Sequence, residues 1–240
     1  MDKALAQQLY QWFNTELGKS ILQYEQEKLN EKINNLFGYL AVQLGMPSVD
    51  FLAENRIRHK WIVASFDNSC ATYPAPYVQG ISGRIPLEDH STDLILLPHT
   101  LELHKNPTKL LEDVHRVLVH NGHAVIIGFN PNHLWGLRRL YKSAATSPIP
   151  YHRLISQYRI KNWFKLLDFE IVDNTQKTDK KPLKLNYWQF IANNPWLAKE
   201  GAFYILVAKK RTLGLHLIGP ALKKNQHKNI IVVTQQVHKK

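Results

Sequence analysis

The chain has 240 residues and is poor in the features that mark several protein classes. Its single cysteine, Cys70, excludes an internal disulfide framework. No apolar run approaches the ~20 residues that a helix needs to span a bilayer. The first residues, 1–4, lack the basic-then-apolar layout of a signal peptide. The sequence also contains no Gly-Lys-Ser/Thr phosphate loop and no Gly-x-Ser-x-Gly nucleophile turn. These absences favour a soluble, cytoplasmic protein with no transmembrane segment.

Acidic residues are missing from the end of the chain. The formal net charge is +12, and residues 209–240 hold eight Lys or Arg residues and no Asp or Glu. The remaining 23 basic residues precede this stretch, together with all 19 acidic ones. The sequence therefore predicts a basic C-terminal tail over residues 210–240, which suits nucleic acid or an anionic membrane face. A solvated extension that binds nothing in particular is the alternative.

Apolar residues recur at helical spacing near the start of the chain. One stripe contains Leu5, Leu9, Trp12 and Phe13, and a second contains Ile21, Leu22, Leu29 and Ile33. We expect two helices within an N-terminal helical segment, residues 1–35, with a break near Gly18-Lys19-Ser20.

Strand patterns and helix patterns alternate through residues 36–209. The predicted helices are 107–119 and 154–167, and the predicted strands are 37–44, 60–66, 78–81, 94–97, 123–128, 169–172 and 201–209. Such alternation is typical of βαβ units. The predicted fold class is therefore α/β, a Rossmann-like doubly wound sheet of about seven strands with helices on both faces. Ligands of such sheets lie outside the carboxyl ends of the strands, which draws attention to residues 98–102.

The middle of the chain resembles a known family. An Ile85-Pro86-Leu87 turn and a link, Glu88-Asp89-His90-Ser91, precede Asp93 and an apolar strand. A helix ending in Arg116-Val117-Leu118 then leads to Asn121-Gly122 and another strand. In this order of motifs the chain resembles the class I S-adenosylmethionine-dependent methyltransferases, in particular an uncharacterised bacterial branch of the type-11 methyltransferase domain.

The resemblance implies a cofactor, a reaction and a set of site residues. It implies S-adenosylmethionine as cofactor and methyl transfer to an unidentified small-molecule or nucleic-acid acceptor. The implied cofactor-binding residues are Gly45, Ile81, Ser82, Leu97 and Pro98. His99, just past the fourth strand, is the candidate catalytic base, and a simple strand-end cap is the alternative reading of it.

The chain departs from the family at the glycine-rich loop after the first strand. Of the family's acid and three glycines, Gln43-Leu44-Gly45-Met46-Pro47-Ser48-Val49 keeps Gly45 only, and Gln43 stands in place of the acid. We therefore expect mostly backbone and apolar contacts with the cofactor. The alternative is a non-catalytic methyltransferase-like module that binds nucleic acid or a protein partner through its basic tail.

The twelve histidines do not predict a metal site. His115, His120 and His123 are close in sequence, but no Cys or Asp completes a ligand set with familiar spacing. We expect these three, and His104, to be surface histidines.

Overall fold

The structure of the protein is a computed structural model that describes residues 2–64, 76–80, 84–131, 150–172 and 203–211. Its strands are β1 Leu40–Leu44, β2 His59–Ala64, β3 Tyr77–Gln79, β4 Thr92–Pro98, β5 Leu118–Phe129, β6 Phe169–Ile171 and β7 Phe203–Lys210. Its helices are α1 Lys3–Phe13, α2 Glu16–Ile33, α3 Thr100–Leu103, α4 Pro107–Val117 and α5 Gln157–Leu166, with a 3₁₀ turn at Tyr151–Arg153.

The strands form one sheet of seven in the order β3-β2-β1-β4-β5-β7-β6. The first five are parallel, and β7 runs antiparallel between β5 and β6. The predicted α/β fold with seven strands is therefore confirmed. Within the described residues, no helix is long and apolar enough to cross a membrane.

Both faces of the central strands are buried, which is why these strands read as nearly continuous apolar runs. Side chains alternate between the faces, so Leu94 and Leu96 join one core, and Ile95 and Leu97 join the other. The first core also contains the apolar stripes of α1 and α2, and the second contains those of α4 and α5. The two N-terminal helices thus form a layer that packs on one face of the sheet.

The connection from β1 to β2, residues 45–58, is described throughout and contains no helix. The crossover connection between two parallel strands usually contains a helix. Here α1 and α2 bury the same face, with Leu9, Leu29 and Ile33 at 0% exposure. The helices before the sheet therefore take the place of the helix that this crossover lacks.

The break between the two helices is not where we predicted it. It falls at Asn14-Thr15, where the Thr15 hydroxyl caps α2 by accepting a hydrogen bond from the Gly18 amide (3.1 Å). Gly18 lies inside α2, and a Cβ there would overlap the carbonyl of Trp12 and the backbone of Phe13. This glycine permits the close approach of two helices and does not break one.

Element ends differ from the predictions by a few residues. β1 begins at Leu40 and not at 37, α5 begins at Gln157 and not at 154, and β5 begins at Leu118, ahead of Asn121-Gly122. Asn121 makes its turn in the left-handed region, with φ 65°.

β7 extends to Lys210, whose ammonium donates to the carbonyls of His115 (2.6 Å) and Leu118 (2.8 Å). Lys210 thus belongs to the fold, and residues 212–240 of the predicted tail lie outside the described residues.

Candidate functional site

The sheet has a topological switch point between β1 and β4. From β1 the chain continues to β2 and β3 on one side, and β4 and β5 lie on the other. In doubly wound sheets, ligands bind in the crevice outside the carboxyl ends of the two strands at such a point. Those ends are Leu44 and Pro98, so residues 45–51 and 98–102 frame the candidate site.

The turn after β1 has left-handed backbone at two consecutive residues. Gly45 has φ 87° and Met46 has φ 46°. The amide of Gly45 donates to the carbonyl of Val63 (2.8 Å), which extends the β1–β2 pairing by one residue. The amide of Met46 donates to the hydroxyl of Tyr10 on α1 (3.1 Å). An N-terminal helix therefore contacts the site's backbone directly.

The side chain of Gln43 holds the turn after β1 in place. Its side-chain amide nitrogen donates to the carbonyls of Gly45 (3.1 Å), Met46 (3.0 Å) and Val49 (2.8 Å). Its amide oxygen accepts from the amide of Phe51 (3.0 Å), and the side chain is fully buried. A carboxylate could not donate to these carbonyls. The glutamine is thus matched to a loop whose carbonyls point inward.

Thr100 joins the two turns that frame the site. Its hydroxyl lies within hydrogen-bond distance of the carbonyl of Leu44 and, at 3.1 Å, of the carbonyl of Pro98. The carboxyl ends of β1 and β4 are therefore adjacent and tied by one side chain.

His99 lies at the centre of a buried charged group that we call the buried trio, Glu25, His99 and Glu102. The imidazole Nδ1 lies 3.1 Å from Glu102, and Nε2 lies 3.2 Å from both carboxylate oxygens of Glu25 on α2. All three side chains are at most 1% exposed. Glu102 also accepts from the amide of Phe129 at the end of β5 (2.7 Å). The trio thus connects α2, α3 and the ends of β4 and β5.

The electrostatics of the trio favour a protonated imidazole. Complete burial by itself lowers the pKa of His99, but the carboxylates of Glu25 and Glu102 outweigh burial and raise the pKa to about 10. Burial raises the pKa of Glu102, against the lowering effect of its contact with His99. With both ring nitrogens facing carboxylates, an imidazolium can donate to each of them.

Aromatic rings enclose the imidazole of His99. The ring of Phe129 lies 4.2 Å from it between centroids, and the ring of Phe13 on α1 lies 5.4 Å away. The backbone of His99 is left-handed, with φ 52° and ψ 15°. A non-glycine residue in this conformation is uncommon and strained, and such residues cluster at functional sites.

The structure brings together only part of the predicted site. Gly45, Pro98 and His99 lie at the switch point, as the strand order requires. The Leu97 side chain is buried in the second core, with α4, so only its backbone is near the site. Ile81 and Ser82 lie outside the described residues. The roles of all six predicted site residues stay predictions.

Four residues that build the site were not expected from the sequence: Tyr10, Glu25, Gln43 as a loop anchor, and Thr100. Glu25 had a readable signal. It lies four residues after Ile21 and four before Leu29, inside an apolar helical stripe, where an acid is unusual unless it has a partner. Tyr10 and Thr100 carried no comparable signal, because their contacts depend on tertiary packing.

Part of the chain is similar in sequence to known proteins. Residues 48–126 match the family model described as a methyltransferase domain. The uncharacterized protein YafS of Escherichia coli (strain K12) is 28% identical to the chain over 216 residues, which are 90% of this chain and 86% of that protein.

Solved structures share the fold. A chain of the complex containing the Haloferax volcanii Trm112 methyltransferase activator superposes with a TM-score of 0.62 at 11% identity, covering 88% of this chain and 99% of that one. The plantazolicin methyltransferase BpumL in complex with SAH gives 0.53 at 12% identity, covering 87% and 96%. An S-adenosylmethionine-dependent methyltransferase from Mesorhizobium loti gives 0.53 at 15% identity, covering 77% and 97%. The predicted resemblance to class I S-adenosylmethionine-dependent methyltransferases is confirmed.

Proposed function

We propose that this chain is an S-adenosylmethionine-dependent methyltransferase whose cofactor lies at the switch point and whose acceptor is an unidentified small molecule or nucleic acid. The observation that carries the proposal is the junction of the turns at Gly45 and Pro98, which Thr100 ties together at the carboxyl ends of β1 and β4. The match to the methyltransferase domain over residues 48–126 supports the same assignment.

The residues at the junction fit a ligand that is held by backbone and apolar contacts. Gly45 has no side chain and a left-handed backbone, and its amide and carbonyl are bonded to Val63 and Gln43, so the ligand contact proposed here is close apolar packing on its main chain. The side chain of Gln43 contributes nothing directly, because its amide nitrogen and oxygen are bonded within the loop. Gly45 and Pro98, with the backbone of Leu97, are the proposed contacts in the described chain, and Ile81 and Ser82 remain proposed as well.

The bound cofactor supplies an electrophilic methyl group, and the chain's task is to hold the two reactants in line. Much of the acceleration of such a transfer comes from proximity and orientation. The trio supports this task by fixing the β4 tip to α2, α3 and β5. His99 acts as a general base only if one of its carboxylate contacts opens, so we favour a positioning role for it over the catalytic base role predicted from sequence.

Isothermal titration of the full chain with S-adenosylmethionine, and separately with S-adenosylhomocysteine, tests the proposal. We expect saturable binding of both ligands and a raised unfolding temperature. The Gly45→Ala variant should lose most of this binding, because a Cβ in left-handed backbone is strained and blocks close approach.

Asn121→Ala is the matched control. Asn121 is also left-handed, at φ 65°, but it is exposed and lies at the opposite edge of the sheet. It should lower stability through comparable strain and leave ligand binding unchanged. Absence of heat and of any thermal shift with either ligand at millimolar concentration would refute the proposal.

A further inference from the structure

Exposed aromatic side chains cluster at the amino ends of β1 and β2. Phe37, Tyr39 and Trp61 are 67%, 73% and 37% exposed, and they are three of the six large exposed hydrophobic residues in the described part of the chain. The ring of Tyr39 lies 4.4 Å from that of His59 between centroids. His59 and Trp61 are two residues apart on β2, so their side chains lie on the same face of the strand. Tyr39, His59 and Trp61 therefore share one surface, and Phe37 lies two residues before Tyr39 on the turn that enters β1.

The turn that carries Phe37 and Tyr39 is held rigidly. One carboxylate oxygen of Asp93 accepts hydrogen bonds from the amides of Tyr39 (2.8 Å) and Leu40 (3.0 Å). Gly38 packs so closely on the same Asp93 side chain that a Cβ there would overlap it. Both rings are thus presented on fixed backbone, which lowers the entropy lost when a ligand stacks on them.

Two exposed arginines lie close in sequence to the rings on β2. They are Arg56 and Arg58, and residues 55–61 contain no acid. Glu54 is the exposed acid that precedes the stretch, and the carboxylate of Asp93 is engaged by the two backbone amides. Aromatic rings interleaved with cations form the pattern that stacks bases and neutralises the phosphates between them.

We propose that this aromatic-basic surface, formed by Phe37, Tyr39, Arg56, Arg58, His59 and Trp61, binds single-stranded nucleic acid. The rings stack on unpaired bases, and the two guanidinium groups contact phosphates. The surface lies at the amino ends of β1 and β2, at the opposite edge of the sheet from Gly45 and Pro98. It is a second binding surface, and the proposal does not rest on methyl transfer.

Fluorescence anisotropy of a labelled 15-nucleotide oligouridine, titrated with the full chain, tests the stacking. The Tyr39→Ala variant should weaken binding by at least about fivefold, from the loss of one stacked base. Tyr158→Ala is the matched control, since Tyr158 on α5 is 75% exposed and lies outside this surface. Both residues are exposed, so far-UV circular dichroism should show the same fold for each variant.

The salt dependence of the same titration tests the phosphate contacts. The double variant Arg56→Gln, Arg58→Gln should reduce the slope of log affinity against log salt by about 1.4, or about 0.7 for each phosphate released. The exposed pair Lys105 and Lys109, changed to Gln, is the control and should leave the slope unchanged.

Photo-crosslinking separates this surface from the basic residues near the end of the chain. Oligouridine carrying 5-bromouridine should crosslink to peptides containing Tyr39 or Trp61. Crosslinks confined to residues 212–240 would overturn the proposal, as would absence of oligouridine binding. Equal losses of oligouridine affinity for Tyr39→Ala and Tyr158→Ala would also overturn it.

Discussion

At the scale of single residues, the buried trio stands out in the described part of the chain. Removing a charge from water costs several kcal/mol, and a buried pair repays that cost only when its geometry and hydrogen bonding are good. Here each ring nitrogen of His99 faces a carboxylate, and Glu102 gains a backbone amide as well. Three ionisable groups are thus tolerated in the interior because each neutralises part of another's charge.

The raised pKa of His99 predicts a specific pH dependence of stability. The folded pKa is about 10, against 6.5 for an ordinary histidine. The stabilisation is therefore fully present below about pH 6.5 and is lost as the pH rises toward 10, with a slope of up to about 1.4 kcal/mol per pH unit. Because Glu25 is the larger cause of the upward shift, Glu25→Gln should flatten this slope. Urea unfolding at pH 6, 7, 8 and 9 measures it.

Glu27→Gln provides the control for this prediction. Glu27 lies on the same helix and contacts the exposed Gln23 (3.2 Å), away from the trio. The Glu27→Gln variant should retain the wild-type slope of stability against pH. Other groups that titrate above pH 8 are common to the wild type and both variants. A slope that is identical in wild type and Glu25→Gln would show that the trio does not hold a proton on His99.

At the scale of elements, the sequence predicted some helices and strands well for a local reason. The apolar face of α4, with Leu111, Val114 and Val117, is complete within 11 residues, and Pro107 at its first position is a local signal of a helix start. Gly18 shows where local reading fails. A glycine is a weak helix former, so its place in the sequence predicts a break, yet its role is to allow the end of α1 to pack closely on α2. That role depends on a contact between two elements.

The packing at Gly18 makes a prediction opposite to helix propensity. Alanine is the better helix former by about 1 kcal/mol, which alone would make Gly18→Ala stabilising. Because the added Cβ would overlap the backbone of Trp12 and Phe13, we expect a destabilisation of about 1–3 kcal/mol instead. Urea unfolding at pH 7 measures it, with the exposed neighbour Lys19→Ala as control. A Gly18→Ala protein that is more stable than wild type would contradict this account of the helix junction.

At the scale of the whole molecule, the order of motifs sufficed to predict the sheet. The order of motifs did not suffice to predict which helices cover the sheet. Alternating strand and helix patterns limit the topology to a few right-handed arrangements. The residues that hold the site, such as Tyr10 on Met46 and Glu25 on His99, come from helices 36 and 74 positions away along the chain. No local pattern encodes such partners, which is why residues 1–35 read as a separate segment.

We expect the N-terminal helices α1 and α2 to be required for the fold as a whole. Because α1 and α2 fill one core of the sheet, a chain that begins at Leu36 should lose the fold and not merely a lid. It would expose the apolar face that contains Leu94, Leu96 and Ile127 to water, at about 25 cal/mol for each Å². We expect loss of near-ultraviolet circular dichroism and of a cooperative urea transition, with strong binding of a hydrophobic dye. A chain ending at Arg211 is the control and should keep its transition, because Lys210 and β7 remain. A cooperative transition in the chain from Leu36 onward would show instead that the N-terminal helices are an appendage.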